Sequence, residues 1–210
     1  IDIGGGGNTA LEDLFVGSIW NNVMPARYTT LRNTNGVGFG LLDDGALASR
    51  IERANRVSLK LGATDRLGVM FRGATDTFRA YDLSAGGLVQ TLMQNLPPGS
   101  EYVFGRFNST NPLSQLVFYR PGTAQLNWHQ VLEPTPGNFS LGAANTFNLT
   151  NRILRVYVVT GASSPRLLVV YATGEQADVF AFDGVSVPVL VQRFGAEAGQ
   201  AFTGAGLLGN

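Results

Sequence analysis

The sequence has no cysteine, a single histidine and few charged residues. Without cysteine there is neither a disulfide framework nor a thiolate metal site. Charged residues make up 14% of the chain and balance to a formal net charge of zero. Nucleic-acid binding depends on a cationic field, and this composition provides none. No apolar run reaches the length of a membrane-spanning helix.

Motifs for catalysis are also scarce. His129 is the only histidine, and no Gly-x-Ser-x-Gly elbow accompanies it. Adjacent acidic residues occur at Glu12-Asp13 and at Asp43-Asp44. Such pairs usually cap helices or face solvent, and few of them are catalytic. The glycine-rich residues 36–40 lack both the glycine spacing of a dinucleotide loop and the lysine of a P-loop. The sequence therefore predicts no enzymatic activity, no metal and no cofactor.

Turn-forming residues and apolar residues are abundant. The 210 residues include 27 glycines and nine prolines, and 44% of the chain is hydrophobic. This mixture is typical of many short strands joined by tight turns. We expect one mainly β domain over residues 1–210, a compact antiparallel β-sandwich or barrel-like fold with one or two short helices. Residues 1–9 and 195–210 are expected to form flexible or loosely docked ends. A chain that starts at Ile1 is expected to be a piece of a longer protein.

Two β-hairpins are predicted towards the C-terminus, each formed by two runs of β-branched and aromatic residues around a turn. They comprise residues 152–159 with 167–171, and residues 179–182 with 185–191. Asp183-Gly184 separates the second pair of runs, which is a strong hairpin signal. Pro188 has no amide donor, so its strand is expected at a sheet edge or with a bulge.

Five further strands and two helices are predicted upstream. The strands are residues 57–61, 67–71, 77–81, 102–107 and 115–119. Residues 45–55 place apolar side chains at a helical period after Asp44, a candidate N-cap. Residues 86–96 do the same before Pro97 and Pro98. Either helix could alternatively be a loop.

One stretch of sequence is echoed later in the chain. Residues 69–82 resemble residues 169–183, with a short apolar run, a turn and an Asp-x-Phe sequence in each. Two hairpins of similar design explain the likeness, and so does chance, because no fixed repeat period emerges.

The most distinctive polar and aromatic segment runs from residue 119 to residue 130. Its aromatic side chains offer stacking surfaces and its polar ones offer directional hydrogen bonds. We expect an exposed recognition loop here, with receptor contacts from Tyr119, Arg120, Asn127, Trp128 and His129. Alternatively, Trp128 belongs to the core and its polar neighbours face outwards. Three Asn-x-Ser/Thr sequons, at Asn108, Asn138 and Asn148, indicate exposed loops only if the protein enters the secretory pathway.

In size and make-up the chain resembles virus capsid projection domains. It shares with them the lack of cysteine, the low charge, the Gly- and Asn-rich turns and short aromatic strands between flexible ends. Among these it is most similar to the capsid spikes of avian astroviruses. That resemblance implies a β domain on the virion surface that dimerises and binds a host-cell receptor. Adenovirus-type fibre heads are similar too, and they would imply a trimer.

Three functional classes follow from the sequence. The first is a non-catalytic attachment spike that pairs with itself as a homodimer and binds a host receptor, either a glycan or a protein. The second is a soluble β-sheet lectin or adhesin. The third is a hydrolase that uses carboxylates alone, which the single histidine and absent motifs argue against. None of the three binds nucleic acid or inserts into a membrane.

Overall fold

The computed structural model describes residues 14–17, 26–33, 39–47, 50–63, 65–84, 87–159 and 165–202. These residues form only strands and connections, so the predicted mainly β, antiparallel fold is confirmed. No helix in this part of the chain is long and apolar enough to cross a membrane. The strands are β1 Leu14–Gly17, β2 Ala26–Asn33, β3 Phe39–Leu47, β4 Arg50–Val57, β5 Arg66–Arg72, β6 Asp76–Ser84, β7 Gly87–Leu96, β8 Glu101–Gly105, β9 Gln115–Tyr119, β10 Gln125–Thr135, β11 Asn138–Leu141, β12 Asn145–Asn148, β13 Ile153–Val159, β14 Arg166–Tyr171, β15 Gln176–Ala181 and β16 Val189–Gly195.

Each sheet is built from strands that are consecutive in the chain. Their orders are β1-β2-β3, β4-β5-β6-β7, β11-β10-β9-β8 with β12 also paired to β10, and β13-β14-β15-β16. The described neighbouring strands pair antiparallel. Short connections suffice for such meanders, which suits a chain rich in turn residues.

The contacts divide the chain into two compact units. Unit 1 comprises Ile1–Pro98 and Glu133–Ser140, and unit 2 comprises Gly99–Leu132 and Leu141–Asn210. In unit 1, the sheet β4-β5-β6-β7 buries a cluster on one face: Ile51, Leu67, Val69, Phe71 and Tyr81. A single domain over residues 1–210 stays a prediction.

Unit 2 is a β-sandwich. Strands β8, β9, β10 and β12 supply one layer, β13 to β16 supply the other, and one hydrophobic cluster lies between them. Its buried members are Val103, Phe107, Val117, Tyr119, Leu126, Trp128, Ile153, Val156, Leu167, Val169, Tyr171, Phe180 and Phe182. Alternation along the strands places every second side chain in this layer, as β14 shows with Leu167, Val169 and Tyr171.

Both predicted C-terminal hairpins are present, but the turn of the second differs from the prediction. β13 pairs with β14 as expected, while residues 160–164 of the predicted turn lie outside the described residues. β15 pairs with β16, but Ala181 is opposite Val189, so residues 182–188 form the connection. The expected two-residue Asp-Gly turn was therefore wrong. The Asp183 carboxylate instead accepts hydrogen bonds from the backbone N–H groups of Val185 and Ser186, which is turn chemistry of another kind. β16, which follows Pro188, lies at the sheet edge as predicted.

Both predicted helices were wrong, and β-bulges explain why. Residues 45–47 end β3, residues 50–55 belong to β4, and residues 87–96 form β7. In β4 the register shifts between Ile51 and Arg53, which leaves Glu52 as an extra residue. In β7, Gln90 and Leu92 are opposite consecutive residues of β6, so Thr91 is extra. An extra residue moves the apolar positions out of strict alternation and imitates a helical spacing. The predicted strand 57–61 was also misplaced, since β4 ends at Val57.

Part of the predicted C-terminal tail is held by the connection between β14 and β15. Gly195 ends β16. The backbone N–H of Ala196 donates to the Glu175 carbonyl at 2.8 Å, and that of Phe202 donates to the Gly174 carbonyl at 2.7 Å. Residues 1–9 and 203–210, the remainder of the predicted flexible ends, lie outside the described residues.

We expect Gly184→Ala to destabilise the fold much more than Gly122→Ala. Both glycines have positive φ, 77° and 83°, and an L-residue there costs roughly 1–2 kcal/mol. A Cβ at Gly122 would meet nothing within 4 Å, whereas one at Gly184 would lie 2.5 Å from Cδ of Gln115. Gln115 is fully buried and fixed by hydrogen bonds with the Phe107 N–H and the Gln130 amide, each 2.8 Å long. Displacing it adds roughly 1–3 kcal/mol.

Urea denaturation of the two variants measures this difference in the free energy of unfolding. Since the two substitutions introduce the same methyl group into the same backbone conformation, Gly122→Ala isolates the cost of strain. Equal losses in the two variants would show that Gln115 moves aside freely.

Candidate functional site

The segment predicted as a recognition loop consists mostly of strands. Residues 115–119 form β9, residues 125–135 form β10, and only residues 120–124 turn between them. The expectation of one continuous loop was therefore wrong in its local structure. Backbone hydrogen bonds fix the turn: the Thr123 N–H donates to the Arg120 carbonyl at 3.1 Å, and the Gly122 N–H donates to the Ile153 carbonyl at 2.8 Å.

The predicted contact residues separate onto different surfaces. Tyr119 and Trp128 are 5% and 2% exposed and belong to the core of unit 2. Arg120 is exposed in the turn. Asn127 and His129 flank Trp128 in β10, so alternation directs them to the opposite face of the sheet. The structure thus leaves Arg120, Asn127 and His129 accessible to some degree and places both aromatic residues inside.

His129 is held by two contacts within unit 2. Its Nδ1 lies 2.9 Å from the Gly142 carbonyl oxygen, which requires the proton on Nδ1. Its ring meets Phe118 edge-on at 5.7 Å between centroids. Among the described residues, no group of three His, Asp or Glu side chains is placed to hold a metal ion. The geometry gives His129 a positioning contact with the backbone.

A row of uncharged polar side chains lies on the outer face of β10 and β12. It consists of Gln125, Asn127, Thr146 and Asn148, and we call it the amide ladder. Gln125 is directly opposite Asn148, and Asn127 is directly opposite Thr146. Three of the four are exposed, and Asn127 is half-buried. Because adjacent strands fix these positions, the ladder is a preformed polar surface.

Hydrogen bonds within the amide ladder orient its members. The Thr146 hydroxyl donates to Asn127 Oδ1 at 2.9 Å. The Gln125 amide donates to Asn148 Oδ1 at 3.2 Å, and the Asn127 amide donates to Gln125 Oε1 at 3.4 Å. Each side-chain amide has two N–H donors and a carbonyl oxygen with two lone pairs. Capacity for external donors and acceptors therefore remains along the row.

Sequence reasoning identified Asn127 but missed the three other members. Thr146 and Asn148 are separated from β10 by β11 and its turns, and nothing in the sequence indicates their register. The only signal was the sequon at Asn148, which the structure places in the ladder. At the other two sequons, the side-chain Oδ1 of Asn108 accepts a hydrogen bond from the Thr110 N–H at 3.0 Å, and Asn138 begins β11.

For the adjacent acidic residues, the structure describes only the strand pairing of Asp43 and Asp44. Asp43 and Asp44 lie in β3, opposite Thr30 and Thr29, so Asp44 does not cap a helix. Residues 12, 13 and 36–38 lie outside the described residues.

A buried ionic network that the sequence did not indicate lies in the sheet β13-β14-β15-β16. The Asp178 carboxylate is 1% exposed and accepts two hydrogen bonds from the Arg193 guanidinium, at 2.8 and 2.9 Å. It also accepts one from the Tyr171 hydroxyl at 2.9 Å. Burial and the Asp178 carboxylate raise the pKa of Tyr171. Burial alone would raise the pKa of Asp178, but the hydrogen bonds from Arg193 and Tyr171 outweigh it and hold that pKa below its usual range.

Comparison with known proteins supports the fold alone. No protein-family model and no curated protein matches the chain. Solved structures do match, among them a protein from Lactobacillus plantarum with a TM-score of 0.54 and 14% sequence identity. The aligned region covers 80% of this chain and 51% of the bacterial one, so the chain spans about half the length of that protein. At this identity, the likeness concerns the arrangement of strands and says nothing of ligand or activity.

Proposed function

We propose that this chain is a non-catalytic attachment domain that binds a glycan receptor on a cell surface. The amide ladder is the observation that carries this proposal. It presents side-chain amides and a hydroxyl, without formal charge, on a rigid antiparallel sheet. Sugars are rich in hydroxyl groups, each both a donor and an acceptor, and side-chain amides complement them in both roles.

The absence of charge in the ladder sets the class of glycan. Gln125, Asn127, Thr146 and Asn148 carry no charge, so they match the uncharged hydroxyl groups of a neutral glycan and offer no ion pair to a charged one. Arg120 is exposed in the turn that leads into β10, before Gln125. It adds a planar guanidinium beside the start of β10 for hydrogen bonding to a hydroxyl or a carboxylate. Binding through the ladder itself should depend only weakly on salt, because it involves no ion pair.

Glycan binding of this kind suits both a capsid spike and a soluble lectin or adhesin. Both use a preformed polar surface on a β scaffold to recognise a receptor. The capsid setting, with location on the virion, rests on the resemblance in size and make-up described above. The glycan-binding activity rests on the ladder, so it is tested independently of the setting.

Truncating the amide ladder should weaken binding to a neutral glycan while leaving the fold intact. We expect Asn127→Ala and Thr146→Ala each to reduce affinity by roughly 3- to 10-fold, because a hydrogen bond contributes about 0.5–1.5 kcal/mol and about 1.4 kcal/mol corresponds to tenfold. A glycan array followed by calorimetry on the best neutral glycan measures the effect.

Asn95→Ala provides a matched control. Thr77 donates to Asn95 at 3.4 Å across β6 and β7, so it is a similar cross-strand pair in the other unit. Its truncation should leave glycan affinity unchanged. The proposal fails if the wild-type domain binds no neutral glycan, or if Asn95→Ala weakens binding as much as the two ladder variants do.

A further inference from the structure

The hydrogen bonds within the amide ladder all run in one direction. The Thr146 hydroxyl donates to Asn127, and the Asn127 amide donates to Gln125. The Gln125 amide in turn donates to Asn148. The ladder is therefore a single chain of bonds with two different ends. In such a chain each bond polarises the next, which strengthens the acceptor at one end and the donor at the other.

Thr146 is the acceptor end of the chain. Its hydroxyl has one proton, and the 2.9 Å bond to Asn127 Oδ1 uses it. The Thr146 oxygen therefore offers a ligand only its lone pairs. A ligand group at this end must be a donor, and any sugar hydroxyl meets that requirement.

Asn148 is the donor end. Its Oδ1 accepts the 3.2 Å bond from Gln125, while its Nδ2 has two N–H groups on a side chain that is exposed. A sugar hydroxyl that accepts here retains a proton, which these N–H groups cannot bind. A carbonyl oxygen has two lone pairs and no proton, so it matches two N–H donors better. The acetamido group of an N-acetylated sugar supplies such a carbonyl without any charge.

The two ends are close enough for one sugar residue to reach both. Thr146 and Asn148 are two residues apart on β12, so alternation places them on the same face, about 7 Å from each other. We propose that the amide ladder selects glycans containing an N-acetylated hexosamine, whose acetamido carbonyl accepts from Asn148 while a hydroxyl donates to Thr146. This selectivity rests on the proposed glycan binding and narrows its ligand.

Matched pairs of neutral saccharides test the selectivity, because the two members differ only in an acetamido or a hydroxyl group at the second ring carbon. Chitotetraose is compared with cellotetraose, and the methyl glycoside of N-acetylgalactosamine with that of galactose. The acetamido member should bind roughly 3- to 10-fold more tightly, the effect of one hydrogen bond. Calorimetry measures the tetramers, and titration followed by nuclear magnetic resonance measures the monosaccharides.

Variants at the two ends should behave differently. Asn148→Asp keeps the size of the side chain and an acceptor for Gln125 but removes both N–H groups, so the two members of a pair should bind equally. Thr146→Val should weaken both members by the same factor, because both carry the hydroxyl that binds there. Asn95→Asp is the matched control, an exposed asparagine on β7, and should keep the preference.

Equal wild-type affinity for the two members of each pair overturns the selectivity but leaves neutral-glycan binding intact. The selectivity also fails if Asn148→Asp keeps the preference or if Asn95→Asp loses it. It fails again if the array yields a neutral ligand while neither acetamido member binds. If no neutral saccharide binds in these pairs or on the array, the proposed function itself is wrong.

Discussion

Trp128→Ala is expected to lower the free energy of unfolding by about 3–5 kcal/mol, the range for truncating a large aromatic residue in a core. The indole is 2% exposed and packs edge-on against the Phe182 ring, with centroids 5.3 Å apart. Its loss removes this contact and leaves a cavity between the two layers of unit 2. Urea denaturation, followed by circular dichroism, measures the change.

Two further variants define the origin of that loss. The Trp128 Nε1 is buried and has no hydrogen-bond partner among the described residues, so Trp128→Phe sacrifices no hydrogen bond. It keeps much of the packing and should cost distinctly less than alanine. Asn127→Ala, one position along β10 and on the other face, should cost little because its side chain is half-buried. A Trp128→Ala variant as stable as the wild type would place this residue outside the core.

Local signals predicted the strands whose side chains alternate without interruption. Gln115–Tyr119 matches the predicted strand at both ends, and the pairing of β13 with β14 was likewise readable from adjacent runs and a turn. The helices failed for a reason that composition cannot reveal. The extra residues Glu52 and Thr91 are specified by pairing with the neighbouring strand, and a pattern read along one strand misreads the bulge as helical spacing.

The echo between residues 69–82 and 169–183 has a structural counterpart. It corresponds to β5 with β6 and to β14 with β15, and each pair forms the two inner strands of a four-stranded sheet. The inner strands of both sheets need apolar runs that can be buried and a short turn that joins them. The pairing differs, however, because Met70 is opposite Phe78 whereas Val170 is opposite Ala177, so the two segments share a position in the sheet but not a register.

The candidate site could be predicted only in part from the sequence, because it depends on which face of β10 packs against the other layer of unit 2. Trp128 and Asn127 are neighbours in sequence, and both suit a recognition surface by residue type. Burial against Phe182 assigns one to the core, and pairing with Thr146 assigns the other to the ladder. Both partners are distant in sequence, so the register that decides the roles arises only in the folded chain.

Replacing the buried carboxylate of Asp178 should cost less than losing Trp128, but its cost should depend on pH. We expect Asp178→Asn to lower the free energy of unfolding by about 2–3 kcal/mol at neutral pH, within the range for hydrogen bonds to charged groups. Arg193 is half exposed, so water solvates its charge when the carboxylate is gone. That keeps the cost below the roughly 3–5 kcal/mol of breaking a fully buried ion pair.

The sign of the pH dependence follows from the lowered pKa of Asp178 in the folded chain. The ionised group stabilises the fold fully above its unfolded pKa of about 3.9, and this contribution is lost as the pH falls through the lower folded pKa. The difference in unfolding free energy between wild type and Asp178→Asn should therefore be largest at neutral pH and shrink below about pH 4. Glu197→Gln, which removes an exposed carboxylate from the same unit, is the matched control for the loss of one carboxylate. If the gap for Asp178→Asn stays constant into acid, the Arg193 and Tyr171 hydrogen bonds do not favour the ionised carboxylate. If the difference in unfolding free energy for Asp178→Asn disappears in acid while the difference for Glu197→Gln does not, the charge on Asp178 stabilises the pairing of β15 with β16.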